Sequence, residues 1–274
     1  MSFGVDENGL HAVGTGRQDL PEQYEDRLVA YIDILGWKEA CDTLEPTQLV
    51  QALDLIHEHP RQFNEAERLK LLEFGQKPGV TWINPMRLQV RAAAFSDNVV
   101  VSEPAAYGCR IFTIRRMCVR LLELGFLSRG GVSLGHVYHE DNVVFGPALN
   151  RAVEIEQGAS FPRIVCDTPV VELLKEDRDF AHEVIRDGVD GKYVVNLFPP
   201  VFRKSPAYIW KQVLDSHYRF DDLLRVISAK TEQLRAPTEK RKLEKWVYME
   251  NYVKARREEL VEFGVAIVRQ NESS

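Results

Sequence analysis

The chain has 274 residues, 45% of them hydrophobic, and a formal net charge of −6; this is long enough for a full core and allows one large domain or two small ones. An acidic balance excludes broad nucleic-acid binding, which needs a basic surface to neutralise phosphate, but permits a small anionic ligand held through metal ions. No run reaches the roughly 18 apolar residues of a bilayer span, and the N-terminus has no apolar signal core, so a soluble, cytoplasmic protein without stable membrane or nucleic-acid binding is expected. Cys41, Cys109, Cys118 and Cys166 are far apart and lack zinc-finger spacing, and are expected as reduced core thiols.

Residues 1–23, with Gly4, Gly9, Gly14 and Gly16 among polar neighbours, suggest a flexible N-terminal arm. Order is expected to begin near Arg27, where "LVAYIDI" is a buried strand. "EPTQLVQALDLIHE" follows as a helix opened by Pro46 with Leu49, Leu53 and Ile56 on one face. An irregular insert of about 64–85 precedes "MRLQVRAAAF" and "NVVVSE", which flank the turn "SDN" as a β-hairpin. The next helix, near Ala105 to Leu124, stops at Gly125. It leads into the strand "LSRGGVSLGHVYHE", where Gly130, Gly131 and Gly135 permit close backbone approach. "GPALNRAVEIEQGA" is a helix with Pro147 in its first turn, "PRIVCD" a strand and "TPVVELLKED" a helix.

The order strand, helix, hairpin, helix, strand is the ferredoxin-like arrangement. It predicts an α+β domain over residues 24–204, with a central, mostly antiparallel or mixed sheet and helices on one face. Beyond about Ser205 the pattern becomes wholly helical. "YRFDDLLRVISAKTEQL" and "EKRKLEKWVYMENYVKARREEL", separated at Pro237, predict a helical hairpin as a C-terminal extension over 205–274. Lys240, Arg241, Lys242 and Lys245, interleaved with Glu239 and Glu244, suggest a solvated helix face.

Two carboxylates stand out. Asp33 ends an otherwise apolar strand, where an acid is commonly a cap or turn residue, and Asp97 occupies a hairpin turn, where Asp bonds its own backbone. In the predicted fold the two strands are central neighbours, which brings the acids together. Two adjacent carboxylates repel and are costly to desolvate, and a divalent cation removes both penalties.

In that order, "YIDILGW", "FSDN", "SRGGVSLG" and "FGPALNRAVEIE" resemble the catalytic domain of class III nucleotidyl cyclases, and more closely the bacterial pyrimidine cyclases of the Pycsar anti-phage systems. The likeness covers about Arg27 to Phe198, and its specificity lies in the ordered set rather than in any single motif. It implies two Mg²⁺ or Mn²⁺ ions on Asp33, Asp97 and the Ile34 carbonyl. It also implies triphosphate contacts from the turn Leu35, Gly36 and Trp37, a ribose-orienting Asn150, and a homodimer that shares its sites. Purine cyclases carry an arginine four residues after that asparagine; here the position is Glu154, leaving Arg129 and Arg151 as candidate transition-state cations. Their base-reading lysine aligns with Ala93, and their base-reading aspartate falls near Asn142 and Val143. A pyrimidine pocket is therefore expected, with Tyr31, Trp37 and Phe95 supplying bulk and Arg91 a contact to uracil. The implied activity is conversion of UTP to 3′,5′-cyclic UMP and pyrophosphate, with the product acting on a separate effector. The alternatives are a cytidylate cyclase, an inactive nucleotide-binding module of the same fold, and an interaction protein docking through its helical tail. A diguanylate cyclase lacks support because its "GG(D/E)EF" hairpin is absent.

Overall fold

A computed structural model describes residues 2–6, 9–13, 24–54, 56–58, 60–61, 89–105, 111–176, 181–200 and 219–272. Within the N-terminal arm, strands β1 (Ser2–Asp6) and β2 (Gly9–Val13) form an antiparallel ladder. The main sheet contains β3 (Glu25–Leu35), β4 (Arg91–Phe95), β5 (Asn98–Pro104), β6 (Leu127–Glu140), β7 (Val143–Phe145), β8 (Ile164–Cys166), β9 (Val184–Arg186) and β10 (Tyr193–Val195). Their order is β4-β5-β3-β6-β8-β10-β9, with β7 attached to β6. All these pairings are antiparallel except β6 with β8. The helices are α1 (Trp37–Thr43), α2 (Phe112–Glu123), α3 (Pro147–Gln157), α4 (Thr168–Glu176), α5 (Phe220–Gln233) and α6 (Lys240–Glu272). Residues 46–54 are also helical, opening at Pro46 as expected, whereas the insert 64–85 lies outside the described residues. The α+β class, the mixed central sheet and the helical hairpin all agree with the sequence pattern.

The strand period of two sorts β3 onto two surfaces. Leu28, Ala30, Ile32 and Ile34 enter the main core with Ile114, Met117 and Leu121 of α2 and Val170 and Leu174 of α4. Val29 points the other way, toward Val137 and Ala148 of α3. The helices are therefore not confined to one face. Small residues on β6 explain the departure: a Cβ added at Gly131 would collide with the Ala152 carbonyl and the Ile155 side chain of α3. Ser133 also donates its hydroxyl to the Ala148 carbonyl at 2.5 Å. Only a nearly side-chain-free strip lets a helix backbone lie so close.

The C-terminal hairpin joins the main core rather than forming one of its own. Phe220, Leu223 and Ile227 of α5 and Trp246, Met249 and Val253 of α6 are buried in the same cluster as the sheet. The partly buried Tyr252 hydroxyl accepts the Leu197 N–H at 2.9 Å, and Arg257 reaches Asp221 at 2.8 Å, tying the middle of α6 to the start of α5. Cys118 and Cys166 are buried free thiols, with Cys118 pushed up to about 12 by desolvation, whereas Cys41 is exposed rather than in the core. Cys109 lies outside the described residues. Among the described residues no helix is long and apolar enough to cross a membrane.

Candidate active site

The β3–β5 register sets Asp33 opposite Asn98, which places Asp97 beside the end of β3. The Ile34 N–H donates to the Asp97 carbonyl at 2.7 Å, locking the hairpin tip to the strand end. Ser96, at φ 57°, takes the left-handed conformation that closes the two-residue turn between Phe95 and Asn98. Asn98 Nδ2 donates to Asp97 Oδ1 at 2.8 Å, and the Tyr31 hydroxyl donates to Asn98 Oδ1 at 2.6 Å. A chain of polar groups thus runs from Tyr31 through Asn98 to Asp97.

Asp33 is half-buried, and desolvation raises its pKa. Arg129 opposes that rise and Asp97 adds to it. Arg129, opposite Asp33 in the β3–β6 register, donates from Nη2 to Asp33 Oδ2 at 2.8 Å. The same nitrogen lies 2.6 Å from Oε1 of the buried Glu156 on α3, an ion-pair contact without hydrogen-bond geometry. Burial raises the Tyr31 pKa as well, with Glu156, Asp33 and Asp97 each adding to it. Three carboxylates, one phenol and one guanidinium therefore share the same end of the sheet. Glu156 carried no sequence signal beyond its place in a helix.

Oxygen-only donors suit Mg²⁺ or Mn²⁺. Asp97 is among the groups that raise the pKa of Asp33, so the two carboxylates feel each other's charge. Among the described residues no group of three or more His, Cys, Asp or Glu forms a ligand cluster. The Asp33 and Asp97 pair would be completed by backbone carbonyl and by ligand oxygens.

The other sequence-derived residues divide. Leu35 ends β3, and Gly36 forms the turn after it at φ 86°. Trp37 is buried and packs its ring on Phe126 at 5.5 Å, so it fills the core and offers no open stacking face. Phe95, next to the hairpin tip, is 85% exposed. Arg91 sits at the opposite end of β4, in register with Ser102. It is bound to Glu25, Glu140 and the His139 carbonyl, the last at 2.6 Å. Four residues of strand, roughly 13 Å, separate it from Phe95. A role for Arg91 at the base is therefore not supported; it belongs to a buried polar network with Arg27, Ser102 and His139. Arg151 is exposed and pairs with Asp167 at 3.0 Å and Glu154 at 3.2 Å, away from Asp33. Asn150 is exposed in the first turn of α3, its N–H donating to the Gly146 carbonyl at 3.1 Å.

No protein-family model matches the chain, and no curated protein matches it. Among solved structures, the adenylyl cyclase CyaB from P. aeruginosa is 18% identical, covering 64% of this chain and 95% of its own, with a TM-score of 0.38. A bacterial light-regulated adenylyl cyclase is 16% identical, covering 72% of this chain and 99% of its own, with a TM-score of 0.42. The catalytic core of a rhodopsin-guanylyl cyclase with converted specificity, in complex with ATPαS, is 12% identical, covering 64% of this chain and 97% of its own, with a TM-score of 0.36.

Proposed function

We propose that the chain is a two-metal nucleotide cyclase that prefers UTP and forms 3′,5′-cyclic UMP and pyrophosphate as a second messenger in anti-phage defence. The observation that carries this proposal is the meeting of Asp33 and Asp97 at the ends of adjacent central strands, fixed by the 2.7 Å bond between the Ile34 N–H and the Asp97 carbonyl. The Asp33 and Asp97 carboxylates and the Ile34 carbonyl would hold two Mg²⁺ or Mn²⁺ ions. Bound there, the ions supply activation of the ribose 3′-hydroxyl and neutralisation of charge on the departing pyrophosphate. The rest is positioning, as in other phosphoryl transfers.

The turn Leu35–Trp37 presents backbone to the phosphates. Asn98 orients Asp97, and Tyr31 orients Asn98 in turn. Arg129, already in contact with Asp33, is favoured over Arg151 as the guanidinium that meets charge developing at the α-phosphate, because Asp167 and Glu154 hold Arg151. Asn150 would orient the ribose. Phe95 supplies an exposed aromatic face beside the metals, one that a second protomer of a homodimer would cover. Support for a pyrimidine base comes from Ala93, Asn142 and Val143, none of which reproduces the purine-reading residues of the resembling family.

The test incubates the purified chain with each of the four ribonucleoside triphosphates and Mn²⁺, identifies products by mass, and then lets UTP and CTP compete at equal concentration. Cyclic UMP in clear excess is expected. An excess of cyclic CMP or of a cyclic purine overturns the base assignment, and the absence of metal-dependent pyrophosphate release overturns the enzyme.

A further inference from the structure

Beside the turn that follows β3 lies a cleft of about 540 Å³. Leu35 and Gly36 line it from the end of the sheet, and Lys230, Lys242, Lys245 and Trp246 line it from α5 and α6. A Cβ added at Gly36 would meet nothing within 4 Å, so the turn borders open space. Among the described residues the one carboxylate in the lining, Glu39, is already engaged: Lys242 Nζ lies 2.7 Å from its Oε2 and also pairs with Glu239 at 2.9 Å. The ammonium groups of Lys230 and Lys245 make no hydrogen bond or ion pair among the described residues.

Lys245 departs from the solvated-face pattern of its neighbours. Lys240 and Arg241 are exposed, whereas Lys245 is half-buried on the side of α6 that carries the buried Trp246, Met249 and Val253. Burial lowers its pKa, and the like charges of Arg129 and Arg241 lower it further against the pull of Asp33. An unpaired, partly desolvated ammonium held near a guanidinium is unfavourable in the ligand-free chain. A polyanion in the cleft offsets that cost.

We propose that Lys245, with Lys230 on the facing helix, binds the terminal phosphates of the nucleotide, so that the C-terminal hairpin completes the phosphate site of its own chain. The proposal rests on the cyclase reading and assigns two further binding residues to that site. Lys242 then acts as the tether that docks α6 on α1, and Lys245 follows it by one helical turn.

The test is calorimetric titration of the full chain with Mn²⁺ and inorganic tripolyphosphate. Lys245→Met is expected to weaken binding about tenfold, the loss of one charge-assisted contact, and Lys245→Arg to restore part of it. Lys230→Met, on a different helix, is expected to lose affinity in the same direction. Lys254→Met is the control, since Lys254 lies on the same helix and pairs with Glu250 at 2.6 Å. No binding by the unmodified chain, full affinity in both Lys245→Met and Lys230→Met, or an equal loss in Lys254→Met overturns the proposal. Binding needs no turnover. A chain that binds tripolyphosphate through Lys245 yet makes no cyclic nucleotide would therefore refute the cyclase reading alone. Cyclic-nucleotide formation with a nucleotide KM indifferent to Lys245→Met would refute this proposal alone.

Discussion

Arg129 and Asp33 face each other across the β3–β6 ladder, joined at 2.8 Å, and the same guanidinium also reaches Glu156. Any cation that binds Asp33 must compete with this arginine. Arg129→Met is therefore expected to raise the Mn²⁺ affinity of the nucleotide-free chain several-fold. It should also cost about 1–3 kcal/mol of stability, because the buried Glu156 loses its counter-charge. Mn²⁺ titration and urea unfolding read the two effects separately, and unchanged Mn²⁺ affinity would show that the arginine and the ion do not share the carboxylate.

Asp33→Ala and Asp97→Ala are each expected to abolish cyclisation while the fold persists. Removing Asp97 relieves the repulsion, so its metal-free melting temperature should hold or rise, whereas Asp33→Ala also takes a partner from Arg129, so its melting temperature should hold or fall slightly. The outcome that sinks the metal assignment is near-normal turnover in Mn²⁺ by either variant.

Gly131→Ala drives a methyl group into the Ala152 carbonyl on α3. The expected loss is roughly 1–3 kcal/mol, as for other overpacked sites. Since α3 carries Asn150, placed at the ribose, turnover should fall with it. A variant as stable as the parent in urea would mean that α3 yields more readily than the backbone contact implies.

Glu103 is fully buried, with burial pushing its pKa up to about 8, although its carboxyl accepts the N–H groups of Ile111 and Ile114 at 3.1 and 3.3 Å. An unfolded glutamate loses its proton near 4.5, so between pH 4.5 and 8 the folded chain binds more protons than the unfolded one. Stability from this group therefore falls as pH rises through that window and is flat below it. Glu103→Gln removes the titration, and its melting temperature should fall less over the same range. Identical slopes for the two proteins would contradict the assignment.

The long elements were legible because their patterns are long. The apolar run ending at Asp33, the turn around Asp97 and the glycine-marked β6 each carry a period or a breaker that survives without tertiary information. The three-residue strands β7, β9 and β10 and the seven-residue α1 are too short for a period to register. The place of Arg91 at the far end of β4 is not legible, because a residue type says nothing about which end of a strand it occupies. Lys245 reads from the sequence as one more residue of a solvated face, since only the packing of Trp246 shows which side of α6 turns inward.

The shared core makes the hairpin more than an appendage. Phe220, Leu223, Trp246 and Val253 cover the same apolar floor that Ile32 and Leu121 enter from the sheet and α2. A fragment trimmed to the sheet region would expose that floor to water and lose the Tyr252 hydroxyl that receives the Leu197 N–H. Expressed alone, such a fragment should collect in inclusion bodies or bind hydrophobic dyes.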